Sequence, residues 1–187
     1  VSVPNNKLQN KKKRYYFEDS LVQEPGTVFV SPFDLNVEQG QVERPLKPMI
    51  RFGTSVVDSK GVKQGIVLFN YYGSSLIQNL REGSDTVQGQ MMLLNSSGYW
   101  MMGPEPSKEW GFMFPDKKQM VFQTDFPIAW QEIVANEQGE IRTDKGLFAY
   151  RTVYPLVTGY KSGHGPESDS SPSNKGLKSD GYHWKVI

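Results

Sequence analysis

At 187 residues, 37% of them apolar and 22% charged, the chain is long enough to bury a core and has the composition of a globular protein. A net charge of +1 argues against a nucleic-acid binder, whose surface is normally basic. The absence of cysteine excludes disulfides, thiol catalysis and cysteine-ligated metals, and no apolar run approaches the roughly 20 residues of a membrane helix.

Along the chain, residues 8–21 join a basic run, Lys11–Arg14, to the aromatic run Tyr15-Tyr16-Phe17 and read as a helix ended by the Glu24-Pro25-Gly26 turn. Residues 27–31 form a strand, and the connector after it leaves the sheet at Pro32 and returns after Pro45 and Pro48, because proline cannot donate to a ladder. Two β-branched runs, 49–58 and 62–71, flank Asp58-Ser59-Lys60-Gly61 and predict a β-hairpin with a glycine-bearing turn.

Residues 74–81 follow as a short helix with Leu76, Ile77 and Leu80 inward. The polar stretch 81–89 places a module boundary there, dividing the chain into 1–82 and 83–187. Residues 90–95 and 99–102 read as paired strands about the Asn95-Ser96-Ser97-Gly98 turn. Prolines 104, 106 and 115 leave 103–125 irregular, and 126–135 is a helix with Asp125 as its cap and Pro127 in its first turn. Residues 136–139 close that helix, 146–157 is a strand, and 182–187 is its antiparallel partner. Between these two strands, 159–181 is rich in Gly, Ser and Pro and is expected to be a mobile hairpin tip.

The run from Ser31 to Tyr71, SPFDLNVEQGQVERPLKPMIRFGTSVVDSKGVKQGIVLFNY, resembles the extracytoplasmic sensor domains of bacterial two-component histidine kinases and diguanylate cyclases, the tandem PAS-like or double Cache family. LLNSSGYWMMGPEPSKEWGFMF, residues 93–114, resembles the opening of that family's second, membrane-proximal module. The resemblance implies an α+β fold of two PAS-like modules in series, each a central antiparallel sheet flanked by helices. The first module shows only three strands after its helix, and the expectation is that the sequence begins partway through it. Ending just after the last strand fits a position before a membrane helix. The function implied is non-catalytic ligand sensing on the periplasmic side of an inner-membrane receptor, with a small molecule of unknown identity as partner and a homodimer as assembly.

The family holds its ligand between the sheet and the connector and helix that cover it. Arg14-Tyr15-Tyr16 stands where relatives carry an arginine followed by aromatics that grip a carboxylate; the tryptophan-tyrosine pair and later aspartate of the fuller amino-acid-binding pattern are not reproduced. A guanidinium offers a bidentate fork and aromatic walls bury the ligand's carbon body. Arg14 stands equally as a surface or structural residue. Asp34 joins the candidate set, though it and Asn36 could equally cap turns. Arg51 and Asn70, on facing hairpin strands, contribute only if they alternate inward. The aromatics Tyr99, Trp100, Trp110, Phe112, Phe114, Trp130 and Phe148 read as core, with the methionines filling gaps.

Other chemistry has little support. The two histidines are His164 and His183, no Gly-x-Ser-x-Gly elbow exists, and no metal-ligand spacing appears, so no catalytic residue, metal or cofactor is expected. The Lys11–Arg14 run reads as a solvated helix face rather than a nucleic-acid contact. A periplasmic partner-binding module without signalling output would share these features, and a secreted hydrolase is the more distant alternative.

Overall fold

The structure is a computed structural model and describes residues 4–84, 89–155 and 182–187; the expected hairpin tip at 159–181 lies outside them. In chain order the elements are α1 (Tyr15–Val22), β1 (Phe29–Val30), β2 (Asp34–Leu35), β3 (Val37–Glu38), β4 (Gln41–Val42), β5 (Pro48–Val57), β6 (Lys63–Tyr72), α2 (Ser74–Ser84), β7 (Leu93–Asn95), β8 (Trp100–Met102), α3 (Phe122–Asp125), α4 (Pro127–Ala135), β9 (Gln138–Thr143), β10 (Gly146–Val153) and β11 (Trp184–Val186). The fold is α+β, with antiparallel sheets and helices. Its described residues group into two compact units, one of 4–32 and 50–71, the other of 33–49, 72–84, 89–155 and 182–187.

In the first unit the expected helix over 8–21 forms only from Tyr15. Leu8 is 65% exposed, and the four adjacent cations Lys11–Arg14 gain nothing from being wound into one turn. The hairpin forms as expected: β6 pairs with β5, and the Asp58 N–H donates to the Val62 carbonyl at 2.9 Å across the turn. The Asp58 carboxylate accepts the N–H groups of Lys60 and Val62, both at 2.9 Å, and Gly61 takes the φ of +78° that the turn requires. Phe29 and Val30 of β1 pair with Gly53 and Phe52 of β5.

The second unit is built on a five-stranded sheet in the order β8-β7-β11-β10-β9. The strand β9 corrects the expectation that residues 136–139 merely close the preceding helix. In Gln-Gly-Glu-Ile-Arg-Thr only Ile141 is large and apolar, so a strand with one wet face leaves almost no periodic signal. Residues 103–125, expected to be irregular, contain α3. Asp125 does not cap α4; its carboxylate instead accepts from the Lys108 ammonium at 2.8 Å.

Phe122 of α3, fully buried, centres the core: its ring lies 4.8 Å from Phe126, 5.9 Å from Trp130 and 5.9 Å from Phe148. Trp100, Trp110, Trp130 and Phe148 are buried as expected, whereas Tyr99, Phe112 and Phe114 are only half-buried. Trp184 pairs in register with Val153, which alternates away from Phe148 and Tyr150, so its indole lies on the sheet face opposite that core. There Phe33 stacks edge-on against Trp110 at 5.1 Å and lies 5.8 Å from Trp184. The Tyr182 hydroxyl fixes this packing by accepting both the Phe33 N–H and the Trp184 indole N–H at 2.8 Å.

Candidate functional site

Helix α1 starts at the aromatic pair because Arg14, in extended conformation, turns the chain into it. Tyr16 and Ser20, four apart and so on one helix face, are its two buried residues. The Ser20 hydroxyl donates to the Tyr16 carbonyl at 2.6 Å and thereby folds back on the helix. It lies against β5 at Gly53, where a Cβ would overlap the Ser20 hydroxyl and come within 3.1 Å of Leu68.

Two residues before Gly53 on the same strand face stands Arg51, which is 2% exposed. Its N–H donates to the Ser31 hydroxyl and its carbonyl accepts the Ser31 N–H, both at 2.8 Å, so the backbone at Arg51 is fixed by a serine that is itself buried. The Arg51 guanidinium carbon lies 4.9 Å from the centre of the Tyr16 ring, and Nη1 donates to the Tyr15 hydroxyl at 3.4 Å. The Arg14 guanidinium carbon lies 5.5 Å from the same ring. Tyr15 and Tyr16 meet edge to face at 5.4 Å.

Two guanidinium groups therefore converge on one tyrosine ring. The ring's negative face offsets part of their mutual repulsion. Arginine keeps its charge when buried, and its planar fork matches a carboxylate, so the cluster can take an anion whose apolar body lies on tyrosine.

The structure thus brings together four of the six sequence candidates: Arg14, Tyr15, Tyr16 and Arg51. Asn70 falls on the Leu68 side of β6 by alternation, hence on the Arg51 side, but is exposed. Asp34 belongs to the second unit, half-buried in β2, where it pairs in register with Met49. Sequence reasoning missed Ser31 and Ser20. Neither a serine before a proline nor a serine in a helix announces itself; only the pairing with Arg51 and Gly53 reveals them.

The second unit holds a cavity of about 910 Å³ beside β10, whose walls include Met91, Met92, Phe126, Leu147, Phe148 and Ile187. Near it, Lys185 is buried, its ammonium donating to the Thr152 hydroxyl at 2.6 Å and the Asn136 carbonyl at 2.8 Å. Burial pushes this amine below its ordinary pKa, with the nearby Glu137 charge opposing the shift. Among the described residues no group of three or more His, Cys, Asp or Glu could hold a metal ion, and no helix is long and apolar enough to cross a membrane.

Comparison with known proteins adds three findings. The family model for the sensor domain of bacterial histidine kinases matches residues 1–159. Among solved structures, a domain of a sensory box/GGDEF family protein from Vibrio parahaemolyticus is similar at a TM-score of 0.72 and 18% identity, covering 96% of this chain and 58% of that one. The extracellular domain of the histidine kinase vpHK1S-Z8 is similar at 0.72 and 18%, covering 95% and 55%. The ligand-binding domain of the Pseudomonas aeruginosa PAO1 amino-acid chemoreceptor PctC, in complex with GABA, is similar at 0.55 and 14%, covering 100% and 64%. These likenesses are of fold, and the chain spans somewhat over half the length of the structures it matches. No curated protein sequence matches it.

Proposed function

The chain belongs to the bacterial histidine kinase sensor-domain family, and on that premise we propose that it is the extracytoplasmic, ligand-sensing part of a membrane-anchored receptor that binds a small carboxylate in its first unit. The domain is a sensor and does no chemistry of its own. The observation that carries the reading is Arg51, 2% exposed, with its guanidinium over Tyr16 and beside the Tyr15 hydroxyl. A buried cation is expensive to keep in a fold and is most useful where it meets an anion. That a similar domain has been solved with GABA supports a small-molecule ligand here. The division into PAS-like modules 1–82 and 83–187 and a homodimeric assembly belong to the same proposal.

A ligand signals only through its difference in affinity between two conformations. Here that difference would arise if the carboxylate draws Arg14 and Arg51 together around Tyr16, tightening α1 onto β5. The test is calorimetry and thermal shift with acetate, lactate, pyruvate, succinate, GABA and the amino acids, against matched amides. Binding of one or more acids but not their amides, lost in Arg51→Met, is the expected result. Binding that is indifferent to the carboxylate, or unchanged in Arg51→Met, overturns it.

A further inference from the structure

Strand β9 is an outer strand of the five-stranded sheet, paired with β10 on one edge. One bond fixes which of its backbone groups that pairing uses. The Thr152 N–H donates to the Glu137 carbonyl at 2.6 Å, one step before the pair Gln138 and Arg151. Hydrogen-bonding direction alternates along an antiparallel strand. Gly139, Ile141 and Thr143 therefore turn N–H and carbonyl toward β10, whereas Gln138, Glu140 and Arg142 turn theirs outward. Among the described residues no strand meets that outward row. The side chains of Glu140 and Arg142 are exposed, and among the described residues neither makes an ion pair.

A row of unpaired backbone groups is a template for another strand, and charge is a common means of blocking it. Here the charges also single out a partner, because the strand is complementary to itself. Against an antiparallel second copy, hydrogen-bond phase requires outward-facing residues to meet outward-facing residues. A two-fold axis through Glu140 sets two carboxylates face to face, and one through Arg142 sets two guanidinium groups face to face. An axis through Ile141 sets Glu140 opposite Arg142 on both sides, and no other register brings opposite charges together. It also places Ile141 against its own copy in a non-hydrogen-bonded pair, where side chains approach most closely. Ile141 is partly buried against the aromatic core, so that contact extends an apolar surface the unit already has.

We propose that β9 is the self-association edge of the second unit. Two copies join it antiparallel about an axis at Ile141, Glu140 and Arg142 exchanging backbone hydrogen bonds and facing as ion pairs, so that the two sheets become one. Such an isologous contact closes at two copies and leaves no open edge on that side. The inference rests on the homodimer of the preceding section and names its surface; the carboxylate site takes no part in it.

Sedimentation velocity over a concentration series tests it by charge exchange. The parent chain is expected to dimerise. Glu140→Arg or Arg142→Glu alone should weaken the dimer by about tenfold or more, since each sets like charges opposite one another on both sides of the axis. Mixed in equal amounts, the two variants regain opposite pairs on both sides, and their heterodimer should match the parent. A second readout uses the absence of cysteine from the chain. Ile141→Cys should oxidise to a disulfide-linked dimer because it meets its own copy within disulfide reach, whereas Gln138→Cys, away from the axis, should stay monomeric. A dimer indifferent to both charge reversals, variants that fail to re-associate when mixed, or equal cross-linking of the two cysteines overturns this edge and leaves the homodimer standing. A parent chain that is monomeric at every concentration overturns both.

Discussion

Ser20 occupies the space that any side chain at position 53 would need: the hydroxyl that folds back to Tyr16 lies where a Cβ on Gly53 would be. The helix and strand meet this closely only because one residue has no side chain. Gly53→Ala is therefore expected to destabilise the protein by about 1–3 kcal/mol, the usual cost of overpacking a tight contact. Adding Ser20→Gly should recover part of it, as read from urea denaturation midpoints.

The size of the Arg51 side chain matters to the fold separately from its charge. Arg51→Ala leaves a hole in the buried face of β5, whereas Arg51→Met keeps most of the volume. The alanine variant should be less stable than the methionine variant by about 2 kcal/mol, in line with large-to-small core changes. Equal stabilities would show that the guanidinium, not the stem, holds the packing.

Glu109 pairs with Arg81 of α2 and also accepts the Gly103 N–H at 3.0 Å. The two partners differ in exposure, 44% for the Arg81 side chain and 11% for that of Glu109. Arg81→Ala should cost under about 1 kcal/mol, as exposed ion pairs do. Glu109→Ala also leaves the N–H of buried Gly103 without its acceptor and should cost about 1–3 kcal/mol. Denaturant unfolding of both variants checks the order.

Lys185 makes stability depend on alkaline pH. Its folded pKa is depressed by burial, so between that value and about 10.4 the unfolded chain binds more protons than the folded one, and stability rises with pH across the window. Below the folded pKa the full cost of the buried charge is present. Lys185→Met should flatten the rise, and subtracting its pH profile of unfolding free energy from that of the parent isolates the effect from tyrosine titration.

The hairpin 48–72 was legible because turn chemistry and β-branched runs coincide, and α4 because its aromatics recur at helical spacing. The face on which Arg51 lies was not. Ile50, Phe52 and Val56 make the more apolar register, so alternation points the opposite face inward. The buried face instead carries Met49, Arg51, Gly53 and Ser55, with Gly53 packed too closely on Ser20 to admit a side chain. The basic run 11–14 promised a longer helix than forms, since propensity along a sequence says nothing of whether a face exists to bury it. Strand β9 was invisible for the opposite reason: its register with β10 comes from the partner, Phe148 opposite Ile141 and Tyr150 opposite Gly139, rather than from its own residues.

The five-stranded sheet grades from dry to wet. Leu93, Leu94, Trp100, Met101 and Met102 at one side are at most 2% exposed, whereas β9 at the other alternates between exposed and half-buried along its whole length. Cooperative loss of such a sheet need not be uniform: the outermost hairpin can peel away while the aromatic centre stays intact. A protease acting on the native protein should therefore find the exposed Asp144-Lys145 corner before the β7–β8 turn, and nicking there would report on the sheet's margin long before the molecule as a whole has melted.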